Sequence, residues 1–269
     1  MNSVRLPHRP YTIFQSSPTP AGLYARQKWL DEAGTAGWQA DFSACVAHLR
    51  QGQSADGLWA GSALETIHRL FGLHLTQREP DALTDKGLDA LLQMATKRRG
   101  SDNAPVVSPD RLHGLPFAAA ARPSVILPAV LFLAAIFGRA FDPVVRKRYE
   151  EMAADLTAEA PAGQPPEALH NRLRALVVHP DFVGHPATAS LVDWLAGRQT
   201  PQGDWGAEIP FYPMLNALAH LDTPAAHRQT ERAVAHLVHH QNPDGSWGKQ
   251  DRQWCTFLAV HALRNKGGI

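Results

Sequence analysis

Gln241-Asn242-Pro243-Asp244-Gly245-Ser246-Trp247 is one of three copies of a single pattern in this chain, Gln-x-x-x-Gly-x-Trp. The others are Gln53-Ser54-Ala55-Asp56-Gly57-Leu58-Trp59 and Gln199-Thr200-Pro201-Gln202-Gly203-Asp204-Trp205. With 20 Gly and 7 Trp in 269 residues, chance yields far fewer than one match, so the copies mark an internal repeat. The last two are one helical-hairpin length apart. Each follows a helix-like apolar pattern ending in His, Arg or Lys and precedes another, which places all three in loops between helices. Gly permits the tight reversal, and Trp buries a large face against the next hairpin. The Gln amide reaches free backbone groups at a neighbouring helix end. Repetition of such a loop welds neighbouring helices together, so Gln53, Gly57, Trp59, Gln199, Gly203, Trp205, Gln241, Gly245 and Trp247 are read as structural.

Outward from these loops, the 3.6-residue period predicts helices over 22–34, 38–51, 61–74, 84–98, 123–138, 143–157, 166–178, 186–198, 208–221, 225–240 and 251–265. No segment alternates as a strand does. Ser62, Thr84, Asp142-Pro143 and Thr223-Pro224 suit helix starts, and Gly72, Gly100 and Gly138 suit helix ends. The expected fold class is all-α, built of hairpins. Residues 99–122, rich in Pro, Gly, Ser and Asp, form an insertion loop. The first 20 residues are expected to be an extended strap anchored by Tyr11, Ile13 and Phe14.

Lys plus Arg (26) and Asp plus Glu (25) cancel to a net charge of +1, which offers nucleic acid no long-range field. Cys45 and Cys255 cannot build a disulfide framework. The run from Val125 to Phe137 contains Pro128 and is shorter than a membrane span, so it is expected to be a buried core helix. The N-terminal stretch has no apolar core of a secretory signal, and a cytoplasmic location is expected.

QNPDGSWG at 241–248, followed by DRQWCTFLAVHALRNKG at 251–267, looks like the repeat of squalene–hopene cyclases and related terpenoid cyclases. GRQTPQGDWG with FYPMLNALAHL is similar, and so is RQGQSADGLWAG. The resemblance implies a single α/α toroid of about six hairpins over residues 21–269, around an apolar cavity that takes a hydrophobic small molecule, an isoprenoid or lipid. It leaves peripheral membrane contact and a partner protein open. The chain departs from the family in lacking the Asp-x-Asp-Asp acid, and it has no aspartate cluster for magnesium and a diphosphate. Prenyltransferase β-subunits share the toroid and hold zinc with Asp, Cys and His. Asp251, Cys255 and His261 match those residue types, but the step from Cys255 to His261 turns them onto different faces. No metal and no cofactor are expected.

By the same resemblance, helices 61–74, 123–138, 208–221 and 251–265, with 22–34 and 166–178, line the cavity. Glu65 and His68 share a face at i, i+3, either as a carboxylate–imidazole pair or as solvated residues. Glu208, Tyr212 and Asn216 form an i, i+4, i+8 stripe, although Pro210 and Pro213 make the start of that helix irregular. Phe132, Phe211, Tyr212 and Trp254 would supply aromatic faces that stabilise carbocations. His113, Phe117 and Arg122 of the insertion are lid residues if it folds over one mouth; the other reading is an exposed loop. Asp251 is read as a helix cap, and His236, His239 and His240 as a solvated face. Two functions follow from these features. One is a cyclase-like enzyme whose acid is Glu65 or Glu208, enclosed without a cationic partner. The other is a non-catalytic toroid that binds an apolar ligand or a partner protein.

Overall fold

The computed structural model describes residues 4–97, 107–119, 125–158 and 164–269. Eleven α-helices fill them: α1 (Pro20–Lys28), α2 (Ala36–Arg50), α3 (Ala63–Thr76), α4 (Ala82–Lys97), α5 (Ile126–Ala134), α6 (Pro143–Ala158), α7 (Pro166–Leu176), α8 (Pro186–Ala196), α9 (Phe211–Leu218), α10 (Pro224–His239) and α11 (Arg252–Asn265). No strand occurs among the described residues. Helices α1, α3, α5, α7, α9 and α11 pack each on the next, and α11 returns to α1. That closed inner ring is surrounded by α2, α4, α6, α8 and α10. The chain is an α/α toroid.

Amphipathic width explains which helix stands inside. The inner helix α3 buries ten of its 14 residues, as an element covered on both sides must. The outer helix α2 buries only Trp38 and Leu49. In α5 every residue from Pro128 to Ala134 is buried, so the most apolar run is a wall of the ring. No helix is long and apolar enough to cross a membrane among the described residues.

The three repeat loops lie at one end of the ring, where the inner helices begin. Gln53 Nε2 donates to its own loop at Gly57 O and to Leu83 O of α4. Gln199 Nε2 repeats this with Gly203 O and Gln229 O of α10. Gln241 Nε2 bonds Gly245 O, but its outside partner is His8 O, and its Oε1 accepts from His8 N. No outer helix separates α11 from α1. Residues 4–19 take that place, tied by Val4 N to Gly268 O and by Gln253 to Ile13 O and Ser17 Oγ. Phe14 is fully buried there, against Trp29. All three loop glycines have positive φ, and a side chain on Gly203 would collide with Arg232 O.

Several boundaries differ from expectation. α1 stops at Lys28 rather than running to 34, because the chain reverses and brings Glu32 back onto Arg26. Thr84 takes its first-turn role rather than the cap of α4, which is Asp81: Asp81 Oδ1 accepts from Leu83 N and Thr84 N, and Thr84 Oγ1 accepts from Asp81 N. Gly72 does not end a helix but sits inside α3, where a Cβ would press on Leu49. Gly138 does end one, at φ 81° within the π-type turn Ala135–Arg139. Gly100 and Arg122 lie outside the described residues.

Candidate functional site

The ring has two unlike ends. At the N-terminal end of the inner helices, residues 107–119 cross the opening. His68 Nε2 meets Arg111 O at 2.7 Å, and Trp254 Nε1 donates to Leu115 O at 3.2 Å. On the far side Asn171 pairs with both backbone groups of Ala118 at 2.8 Å. Leu112, Leu115 and Phe117 are buried beneath this crossing. Beside it opens a pocket of about 380 Å³, floored by Leu49, Phe71, Gly72, Leu75 and Trp254. Its polar rim includes Glu65, His68, Arg69, His113 and Asp251. Glu65, His68, His113 and Trp254, scattered through the sequence, therefore meet at one place.

The enclosed acid is not among them. Glu65 Oε1 is 2.7 Å from Arg69 Nε, its side chain is 40% exposed, and Arg69 also donates to His48 O. Of the two readings of Glu65 and His68, the carboxylate–imidazole pair does not form: Glu65 pairs with Arg69 at i, i+4, half-exposed, and His68 holds the crossing segment. Glu208 is exposed and precedes α9 rather than belonging to it. Ile209, before Pro210, is driven away from helical φ/ψ and α9 begins only at Phe211, so Glu208 stands outside the helix and the Glu208–Tyr212–Asn216 stripe does not form. Among the described residues no Asp or Glu is buried at all.

Inside the ring the rings touch in sequence. Phe117 meets Phe132 at 5.5 Å, Phe132 meets Phe71 at 6.0 Å and Phe71 meets Trp254 at 5.8 Å. Trp254 stacks on Phe257 at 5.1 Å, and Phe257 reaches Tyr24 at 5.3 Å. Phe211 and Tyr212 are not part of this wall. Phe211 packs between Trp205 and His236, on the side facing α10, and Tyr212 touches it edge-on. Asn216 does face inward, buried, with Nδ2 bonded to Leu258 O and His261 Nδ1.

The C-terminal end of the ring is basic. His74 of α3, His220 after α9 and His261 of α11 are gathered there with Arg78 and Arg174. Burial first, and then nearby basic groups that include Arg174, hold His74 and His261 down to about 4 and His220 down to about 2. Those imidazoles are neutral at pH 7. Sequence reasoning missed this cluster, because its members lie on four elements and only the closed ring unites them.

Two further residues change role. Asp251 makes no capping bond; it has a left-handed φ of 46° and its Oδ2 is 3.5 Å from His113 Nδ1. Non-glycine residues in that region are strained and concentrate at functional sites. Cys255 is held up at about 12, chiefly by burial and then by Asp251, while His261 faces Asn216 across the ring. The residue types of a zinc site are thus not brought together, and no group of three or more His, Cys, Asp or Glu is placed to hold a metal among the described residues. His236 stacks on His240 at 4.0 Å on the outer face.

Neither a protein-family model nor a curated protein matches the chain. Solved structures do. A protein from Actinoplanes superposes with a TM-score of 0.56 at 19% identity, over 94% of this chain and 90% of that one. The type II terpene cyclase MstE from Scytonema, in a variant solved with its substrate geranylgeranyl dihydroxybenzoate, superposes with a TM-score of 0.54 at 13% identity, over 94% and 88%. At such identities the likeness is one of fold: this chain has the toroid of a type II terpene cyclase.

Proposed function

We propose that this chain binds an elongated apolar molecule of isoprenoid type at the N-terminal end of the ring, and that it does not start a cyclisation through Glu65 or Glu208. The carrying observation is an apolar, aromatic-floored pocket of about 380 Å³ whose carboxylates are paired or set at its rim. That volume falls within the usual range for small-molecule pockets, roughly 300–1,000 Å³. Protonating an alkene calls for a neutral, shielded acid, whereas Glu65 is half-exposed and ion-paired with Arg69 and Glu208 faces solvent. The isoprenoid class is supported by the repeat loops and by the shared fold with a cyclase that takes a geranylgeranyl substrate.

The test is isothermal titration with geranylgeraniol, followed by extraction and mass spectrometry of the ligand. One equivalent should bind and be recovered unchanged. Trp254→Ala should weaken binding about 10- to 100-fold, the worth of roughly 1.4–3 kcal/mol of lost apolar contact. Absence of binding would overturn the proposal, and a cyclised product would restore the enzyme reading.

A further inference from the structure

We propose that the C-terminal end of the inner ring is a binding site for an oxyanion, with Arg174 and Arg78 as its charged donors and His74, His220 and His261 as its wall. It shares no residue with the pocket at the other end, so it stands apart from the isoprenoid reading.

The argument begins with Arg174. It is 6% exposed, yet its Nε and Nη1 meet no acceptor. A buried charge is ordinarily paired, because leaving water without compensation costs several kcal/mol. This chain supplies its own control: Arg26, 4% exposed, lies 2.7 Å from both Glu32 and Asp41. Among the described residues no Asp or Glu pairs with Arg174 in that way. The face of its guanidinium lies 5.1 Å from the Phe132 ring. That contact leaves the N–H edge free, and the edge is the part that takes an oxyanion in its plane.

The neighbours repeat the pattern. His74 Nδ1, His220 Nε2 and Arg78 Nε are also buried without a partner. Arg78 sits over Tyr24 at 4.7 Å and adopts a φ of 67°, in the left-handed region, immediately past α3. The charged groups bearing on His74, His220 and His261 are Arg78, Arg174, Lys266 and the histidines themselves, every one of them basic. Arg264 on α11 adds to the same side, where it bears on Tyr24.

Basic residues near helix C-termini have an ordinary explanation, since six parallel inner helices collect six negative dipole ends there. Lys266 shows what that explanation looks like: its Nζ donates to Leu221 O at 2.7 Å and to Asp222 Oδ1 at 2.8 Å. Arg174 does neither. A dipole end offers carbonyl acceptors, and a guanidinium that uses none of them with two of its nitrogens is placed for another acceptor.

The experiment measures melting of the full chain in anion-free buffer and after adding inorganic phosphate, pyrophosphate or acetate at millimolar concentration. A rise in Tm with at least one of the three is expected. A response to the phosphates assigns a phosphoryl group, and a response to acetate alone assigns a carboxylate. Arg174→Met should abolish the rise while melting no lower than the wild type in anion-free buffer, because it removes an uncompensated buried charge. Arg174→Lys should retain a reduced response. In side-chain NMR the His74, His220 and His261 midpoints should move up when the anion is bound. No rise with any probe, an equal rise in Arg174→Met, or an Arg174→Met chain that melts well below wild type without anion would each overturn the site.

Discussion

The two ends of this ring are built from the same six helices and differ in what becomes of their polar groups. At the N-terminal end, loops and the crossing segment pair the charged and amide groups: Gln to carbonyl, Asn171 to Ala118, Glu65 to Arg69. Trp59 Nε1 and Gln199 Oε1 are buried there without a partner, but neither carries a charge. At the C-terminal end, buried donors on Arg78, Arg174, His74 and His220 have none. The closed end carries the architecture, and the unpaired end carries stored electrostatic free energy. Perturbing the first should cost stability whatever the solvent; perturbing the second should depend on pH and ions.

The largest expected effect is at the closed end. Trp247 is fully buried and donates to Leu237 O at 2.8 Å, so Trp247→Ala should lose about 3–5 kcal/mol in a urea titration. A loss under 1 kcal/mol would mean that the welds do not hold the ring. Gly203→Ala tests the same end through backbone geometry. A φ of 94° and the helical carbonyl of Arg232 both oppose a Cβ, and about 2–4 kcal/mol should be lost. Gly245→Ala should be milder, since its obstacle, Arg9 O, belongs to the strap rather than to a helix.

Asn171→Ala would unpin the crossing segment and leave the Ala118 backbone groups without partners, at about 1–3 kcal/mol. Hydrogen exchange should rise first in residues 107–119, ahead of the rest of the ring. At the basic end the sign of the pH effect is set by His74 and His261. Both titrate near 4 in the fold and near 6.5 when unfolded, so between those values the unfolded chain binds more protons. Their contribution is fully present above about pH 6.5 and is lost as pH falls towards 4, by about 2–3 kcal/mol for each histidine. Urea midpoints at pH 7.5 and 4.5 should show that loss, and the double variant His74→Gln, His261→Gln should shrink it without removing it, because His220 is held lower still, at about 2. Smallest of all, Glu65→Gln removes a half-exposed ion pair and should change stability by less than about 1 kcal/mol. Geranylgeraniol binding should survive it, whereas an essential acid at Glu65 would make that variant inert in any turnover assay.

Much of the toroid was legible because its signals are local. Eleven periodic segments correspond to eleven helices, and Ser62 and Thr223 cap where their side chains predict. The ion pair of Glu65 with Arg69 was equally local, an i, i+4 spacing passed over in favour of His68. Expectations failed where a proline or a reversal outweighed periodicity, as at Pro210 and at the end of α1.

The sequence by itself determined that this chain is built of helical hairpins with three repeated welds, because period, capping and Gly-Trp reversals act over a few residues; the ring was implied by the resemblance of those repeats. Only the tertiary structure decided that the strap fills the place of a sixth outer helix and that His113 meets Asp251. It alone gathered Arg78, Arg174 and three histidines at one end with no acid beside them. Such groupings depend on which turn of each helix faces the axis when the ring closes. That is settled by the packing of every helix at once, and no single stretch of sequence records it.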